Sequence, residues 1–264
     1  MSRDSLKSVV RLIDAANDTK SVEDQFLHDL CRSIELNEMK TWGTPPSKTF
    51  KPSSMNCKRC SYYQIVGAET DAGAGTTHSR VGIVNSGTDT HIRIQDAISH
   101  MKDNGMDCKY LDVGDFVSNR NLEDIVVRER RGPETKLYNK KYNISFMCDG
   151  IISYKGRYYI LEIKTETSNK WYSRTGVDKK HYNQAITYSL SLGLNKVIFL
   201  YIDRDMSNKK AYMFEVTDEM RQGVVDYIKD VDGYVERNIV PPKEDIPKNI
   251  CTYCGYQTQC RKDK

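Results

Sequence analysis

Between residues 141 and 203 the chain reads as strand, turn, strand, helix, strand, and few folds accommodate that order. "KYNISFMCDGIISYKGRYYILEIKTET" (141–167) reads as two strands joined by a turn near "YKG". "GVDKKHYNQAITYSLSLGL" follows as an amphipathic helix, and "KVIFLYID" (196–203) as a buried strand. Strand, helix and strand within about 45 residues predict a βαβ crossover, and with it an α/β core.

The flanks extend this core. "KKAYMFEV" reads as a further strand, and "TDEMRQGVVDYIKDVDGYVER" as a helix with Thr217 as its N-cap. Upstream, helical patterns run through residues 3–40, with Leu6, Val9, Val10 and Ile13 on one and Phe26, Leu27, Leu30 and Ile34 on the next. "TWGTPPSKTFKPSS" (41–54) holds three of the seven prolines and reads as a loop. A Gly/Ser/Thr loop beginning "GAGTTHSR" runs into a helix that contains His91. The expected division is a helical segment over 1–50 and one larger domain over 51–264.

With 264 residues, 38% of them hydrophobic, the chain can bury a sizeable core. The net charge of +4 is compatible with a polyanionic partner. No run of about 18 apolar residues suggests a membrane span. The N-terminal stretch "MSRDSLKSVVRLIDAAND" lacks an apolar signal core, so a cytoplasmic protein without disulfides is expected.

The hairpin carries unusual charge. Asp149 and Glu162 are about equally far from the turn near Lys155, so they can face each other across the ladder. Glu162 and Lys164 are two apart and share one face. Two carboxylates and an ammonium then converge at one end of a sheet, where burial is costly without compensation. A divalent cation supplies it, and hard oxygen ligands suit Mg²⁺ or Mn²⁺. Such an ion lowers the pKa of bound water and holds a scissile phosphate. The ordinary alternative is a surface cross-strand salt bridge.

Three of the eight cysteines fall within "CTYCGYQTQC" (251–260), spaced C-x2-C-x5-C. A site made of cysteine alone normally needs four thiolates. "CKRCSYY" supplies Cys57 and Cys60 upstream. Cys57-x2-Cys60 with Cys251-x2-Cys254 would make a four-cysteine zinc site, which leaves Cys260 out.

The order of these motifs resembles one family. "CDG", eleven residues and "EIK" resemble the PD-(D/E)xK nuclease signature, with Asp149, Glu162 and Lys164 as its acidic pair and lysine; Cys148 stands where a proline is usual. Gln184 and Tyr188 in "HYNQAITYSLSLGL" resemble the Q-x3-Y motif of RecB-type nuclease domains, and lie one turn apart on one helix face. "GTDTHIRIQ" resembles the helix that bears the family's metal-ligating histidine, at His91. The resemblance spans roughly 55–262 and implies a restriction-endonuclease-like core, a mixed central sheet flanked by helices. It implies Asp149, Glu162, Lys164, Gln184 and Tyr188 as catalytic residues, and His91, Asp149, Glu162 and Ile163 as the Mg²⁺ or Mn²⁺ site.

Iron–sulfur members of that group, the AddB-type and Cas-four-type nucleases, carry one cysteine before the nuclease core and a C-x2-C-x5-C trio after it. The resemblance implies a [4Fe–4S] cluster on Cys57, Cys251, Cys254 and Cys260, a clasp joining N- and C-terminal segments. It implies a metal-dependent DNA exonuclease acting on single-stranded ends, in repair, recombination or replication. No G-x4-GK-[ST] motif is present, so a helicase or recombination partner would be a separate chain. Two other readings are a nucleic-acid-binding scaffold with an inactive nuclease fold and a zinc-ribbon regulatory protein. The six motif residues argue against the first, and the second leaves the acidic pair unexplained.

Overall fold

The computed structural model describes residues 21–40, 48–71, 77–131, 134–252 and 254–263. It divides into two units, Met1–Thr44 with Gly75–Val84, and Pro45–Ala74 with Asn85–Lys264. The expected helix over Leu6–Ile13 and the first half of the proline-bearing loop lie outside the described residues.

In the first unit, α1 (Val22–Lys40) opens with Ser21 Oγ accepting from Asp24 N at 3.2 Å. Glu35 on this helix accepts from His78 N at 3.1 Å.

The second unit is built on a five-stranded sheet. Its strands are β1 (Cys108–Leu111), β5 (Gly150–Tyr154), β6 (Arg157–Glu166), β7 (Lys196–Asp203) and β8 (Lys209–Glu215), in the order β1-β5-β6-β7-β8. β6 and β7 are parallel and the other pairs antiparallel, so the expected crossover is present. Three strands, β2 (Ile125–Arg131), β3 (Glu134–Asn139) and β4 (Ile144–Phe146), form a second, antiparallel sheet.

Helices cover both faces of the five-stranded sheet. Alternation along β6 and β7 decides which residues meet which layer. Ile160, Val197, Phe199 and Tyr201 enter the larger core, with residues of α6 (Tyr182–Leu192) and α7 (Asp218–Glu236). Leu161, Ile163 and Ile202 enter a smaller core with Ile94 and Ile98 of α3 (His78–Ser99). Thr217 caps α7, its Oγ1 accepting from Met220 N at 3.3 Å. The remaining helices are α2 (Lys58–Val66), α4 (Val113–Asn119), α5 (Ser168–Ser173), α8 (Lys248–Thr252) and α9 (Gln257–Lys262).

Three expectations need correction. The stretch 141–167 contains three strands, because Ile144–Phe146 pairs with β3 before the chain crosses to the larger sheet. Asp149 therefore lies in the bend just before β5 rather than on the strand. The Gly/Ser/Thr region is helical from His78 onward, since α3 gains its apolar contacts from Ile94 and Ile98 rather than from its weak local propensity. Among the described residues no helix is long and apolar enough to cross a membrane.

Candidate active site

The bend before β5 is set by close packing. Gly150 has φ +155°, and a Cβ there would lie 2.5 Å from the Tyr110 ring. Only glycine lets β1 approach this closely. Tyr110 Oη then donates to the Asp149 carbonyl at 2.8 Å, and Gln95 Nε2 donates to the same oxygen at 2.6 Å. The Asp149 backbone is thus fixed from α3 and β1 together.

The hairpin register pairs Gly150 with Leu161, which sets Asp149 opposite Glu162. The Asp149 side chain is held twice: Oδ2 accepts from Ile163 N at 2.5 Å, and Oδ1 stands 3.1 Å from His91 Nδ1. Lys164 Nζ donates to Glu162 Oε1 at 2.5 Å and to Gln184 Oε1 at 3.0 Å. Gln184 Nε2 donates to Tyr188 Oη at 2.7 Å, and Tyr188 Oη donates to the Met147 carbonyl at 2.5 Å. The structure therefore brings together His91, Asp149, Glu162, Ile163, Lys164, Gln184 and Tyr188.

Burial makes the charges unequal to their surroundings. Asp149 is 8% exposed and Glu162 3%. Burial pushes the Glu162 carboxyl up to about 7; Lys164 opposes this, and the Asp149 charge adds to it. For His91, burial favours the neutral ring, but the hydrogen bond and charge of Asp149 outweigh it and raise the pKa. Burial, reinforced by Glu162, also keeps the Tyr188 phenol protonated. Glu162 Oε2 is buried and has no hydrogen-bond partner. Leaving such an oxygen unmatched costs about 1–3 kcal/mol, more when it is charged.

Among the described residues, no three of His, Cys, Asp and Glu stand as a ready-made metal site. The donor chemistry nevertheless fits a hard divalent cation: two buried carboxylates, one orphaned oxygen and one imidazole. Sequence reasoning overlooked Gln95 and Tyr110, which hold the Asp149 backbone. Gln95 had a readable signal, since it lies one helical turn from His91 in "HIRIQ".

At the cysteines, α2 and the C-terminal segment are fastened by the protein's own groups. Arg59 is 4% exposed, and it donates from Nε to the Pro241 carbonyl at 2.6 Å and from Nη1 to the Asp263 carbonyl at 2.8 Å. Nη1 also lies 3.7 Å from Cys260 Sγ. Tyr63 Oη donates to Asp263 Oδ2 at 2.7 Å. Cys60 and Cys254 are close enough to shift each other's titration, Cys60 upward and Cys254 downward. Cys57 is near enough to feel the Cys254 charge, although burial dominates and raises its pKa. Cys60 is thus the upstream thiol coupled more strongly to Cys254, whereas the resemblance singled out Cys57. Cys251 is exposed. The donors suit a thiolate-bound metal or cluster in type, but among the described residues the cysteines are not gathered into a metal-holding group, so the expected clasp is not shown.

No family model matches the chain, and no curated protein matches it. The structure is similar to that of SSO0001, with 16% identity, TM-score 0.48, and 90% of this chain and 98% of that one covered. It is similar to LHK-Exo in complex with dAMP, with 12% identity, TM-score 0.46, and 75% and 93% covered. A second structure, of the alkaline exonuclease LHK-Exo from Laribacter hongkongensis, gives 11% identity, TM-score 0.35, and 75% and 95% covered. At these scores the likenesses decide neither fold nor chemistry, which rest on the chain's own geometry.

Proposed function

We propose that this protein is a metal-dependent deoxyribonuclease of the RecB-like PD-(D/E)xK type, acting as an exonuclease on single-stranded DNA ends. One observation carries the reading. Residues from α3, the β5–β6 hairpin and α6 form two adjoining hydrogen-bonded groups, His91–Asp149–Ile163 and Glu162–Lys164–Gln184–Tyr188, which meet at the consecutive residues 162–164 of β6. A salt bridge kept only for stability has no need of a second buried carboxylate with an orphaned oxygen.

In this reading Asp149, Glu162, His91 and Ile163 hold Mg²⁺ or Mn²⁺. When bound, the ion supplies Lewis-acid stabilisation of the scissile phosphate and acidifies a water. The chain's own residues do the rest. Lys164 carries the positive charge that offsets charge developing on the phosphate. Gln184 orients the Lys164 ammonium, and Tyr188 fixes Gln184. Gln95 and Tyr110 hold the Asp149 backbone in place.

Cys57, Cys251, Cys254 and Cys260 are proposed to hold a [4Fe–4S] cluster that fastens residues 57–60 to 251–260, with zinc as the alternative metal. Phosphodiester hydrolysis has no redox step, so the role is structural. Residues 51–264 would form the catalytic domain. A separate helicase or recombination partner would supply unwinding, in repair, recombination or replication.

The test offers linear and covalently circular single strands of one sequence with Mn²⁺. Degradation of the linear strand alone supports the reading. Equal degradation of both rejects the end requirement, and preference for intact duplex rejects action on single strands.

A further inference from the structure

At the C-terminal end of β6, three cations crowd one carboxylate oxygen. Asp178 Oδ2 lies 3.3 Å from Lys170 Nζ, 3.7 Å from Arg174 Nη2 and 3.7 Å from Lys180 Nζ. The second acid, Glu166, is already occupied. Arg174 engages both of its oxygens, and Lys170 Nζ stands 3.0 Å from Oε1. Three cations against two carboxylates leave one positive charge unmatched.

The surplus faces solvent. The Arg174 side chain is 7% exposed and stacks 3.9 Å above the Tyr201 ring, so it is part of the framework. The Lys170 and Lys180 side chains are 44% and 41% exposed. Burial and the Lys170 charge both disfavour the charged form of Lys180. A network evolved only to pin this loop would balance its charges, because like-charge crowding costs stability. Two ammoniums held together in this way are arranged for an anion with several acceptor oxygens.

Tyr201 ties the cluster to the catalytic lysine. It is the β7 partner of Lys164 in the parallel register. Its hydroxyl accepts from Asp178 N at 3.1 Å and lies 3.0 Å from His181 Nδ1. Glu162, Lys164 and Glu166 alternate onto one face of β6, so the cluster begins about 7 Å beyond Lys164 along the strand.

We infer that Lys170 and Lys180 form a phosphate subsite that holds a nucleic-acid strand one step along from Lys164. The anion site stands on its own geometry; the identity of its ligand as DNA rests on the nuclease reading. The shared chemistry is a phosphate oxyanion, belonging either to an internal phosphodiester or to a strand terminus.

The test measures binding of a fluorescent single-stranded oligonucleotide in EDTA across a salt series, alongside cleavage of the same strand with Mn²⁺. The full chain is compared with the Lys170→Gln, Lys180→Gln double variant and with arginine at both positions. The glutamine variant is expected to bind on the order of tenfold more weakly at low salt, with the log–log salt slope shallower by about one. Arginine is expected to restore both. A lowered melting temperature with unchanged affinity and slope would mean the lysines only brace the loop, and overturns the subsite. Normal cleavage by a variant with unchanged KM and slope likewise overturns it while the nuclease reading survives. Weakened binding by the variant, with no cleavage by the unmodified protein, supports the subsite and sinks the nuclease reading. Failure of the unmodified protein to bind the strand at low salt overturns the subsite outright. Loss confined to a linear 5′-phosphorylated strand identifies a terminal phosphate. Equal loss on a circular strand identifies an internal one.

Discussion

His91 Nδ1 and Asp149 Oδ1 stand 3.1 Å apart although 58 residues separate them in the chain. Helix α3 and the bend before β5 are joined at that point. The contact links the fold to its titration. His91 has a raised pKa, so the stability it contributes is full below the ordinary imidazole range and is lost as pH rises through the folded value.

Glu162 acts in the same direction. Its folded pKa, about 7, lies above the ordinary carboxyl value of 4.5. A raised acid contributes stability below its unfolded pKa and loses it as pH rises through the folded one. Metal-free protein should therefore become less stable between about pH 4.5 and 7. Thermal melts in EDTA are expected to show a shallower decline for Glu162→Gln than for the unmodified chain. Added Mn²⁺ should stabilise more at the upper end of that window. Parallel pH profiles for the two proteins would show that Glu162 does not titrate as described.

Lys164 separates metal binding from turnover. Its ammonium bridges Glu162 and Gln184 and is not placed among the proposed metal ligands. Lys164→Ala is expected to lose cleavage by several kcal/mol of barrier, on the order of a thousandfold. It should still bind Mn²⁺, as read by calorimetry or by water-proton relaxation. Loss of both properties together would make Lys164 a positioning group for the acids.

Gly150→Ala tests the bend. The new Cβ would meet the Tyr110 ring at 2.5 Å and its hydroxyl at 2.7 Å. The expected cost is about 1–3 kcal/mol, as for other overpacked sites, read as a lower urea midpoint. Tyr110→Leu in the same chain should recover part of it. An unchanged midpoint in the single variant would contradict the close approach.

The cysteines make a prediction about metal content. Anaerobically purified protein is expected to be brown, with about four irons per chain. Serine at Cys57, Cys251, Cys254 or Cys260 should bleach it. The proximity of Cys60 to Cys254 gives a sharp competing outcome, in which Cys60→Ser bleaches the protein and Cys57→Ser does not. Stoichiometric zinc without iron would replace the cluster with the alternative metal.

The sequence showed the β5–β6 hairpin, the parallel β7 and the α7 cap because each rests on local patterning: alternation, a turn at Lys155–Gly156, and Thr217. It also named the residues that meet at the acidic network, because their types and order are unusual. What it could not show depends on distant neighbours. β4 looks continuous with β5 until its pairing with β3 is known, so the bend at Asp149 was read as strand. β2 carries arginines and a glutamate with little apolar alternation, and its ladder with β3 is what makes it a strand. Tyr110 was missed since its function is to grip one carbonyl, which no spacing announces.

The most direct measurement follows degradation of an end-labelled linear single-stranded DNA by the purified full chain, with Mn²⁺ and with EDTA, beside Glu162→Ala of confirmed fold. The account predicts degradation with Mn²⁺, none in EDTA, and a loss on the order of a thousandfold or more in the variant. Metal-independent degradation, or full activity in the Glu162→Ala protein, would contradict it.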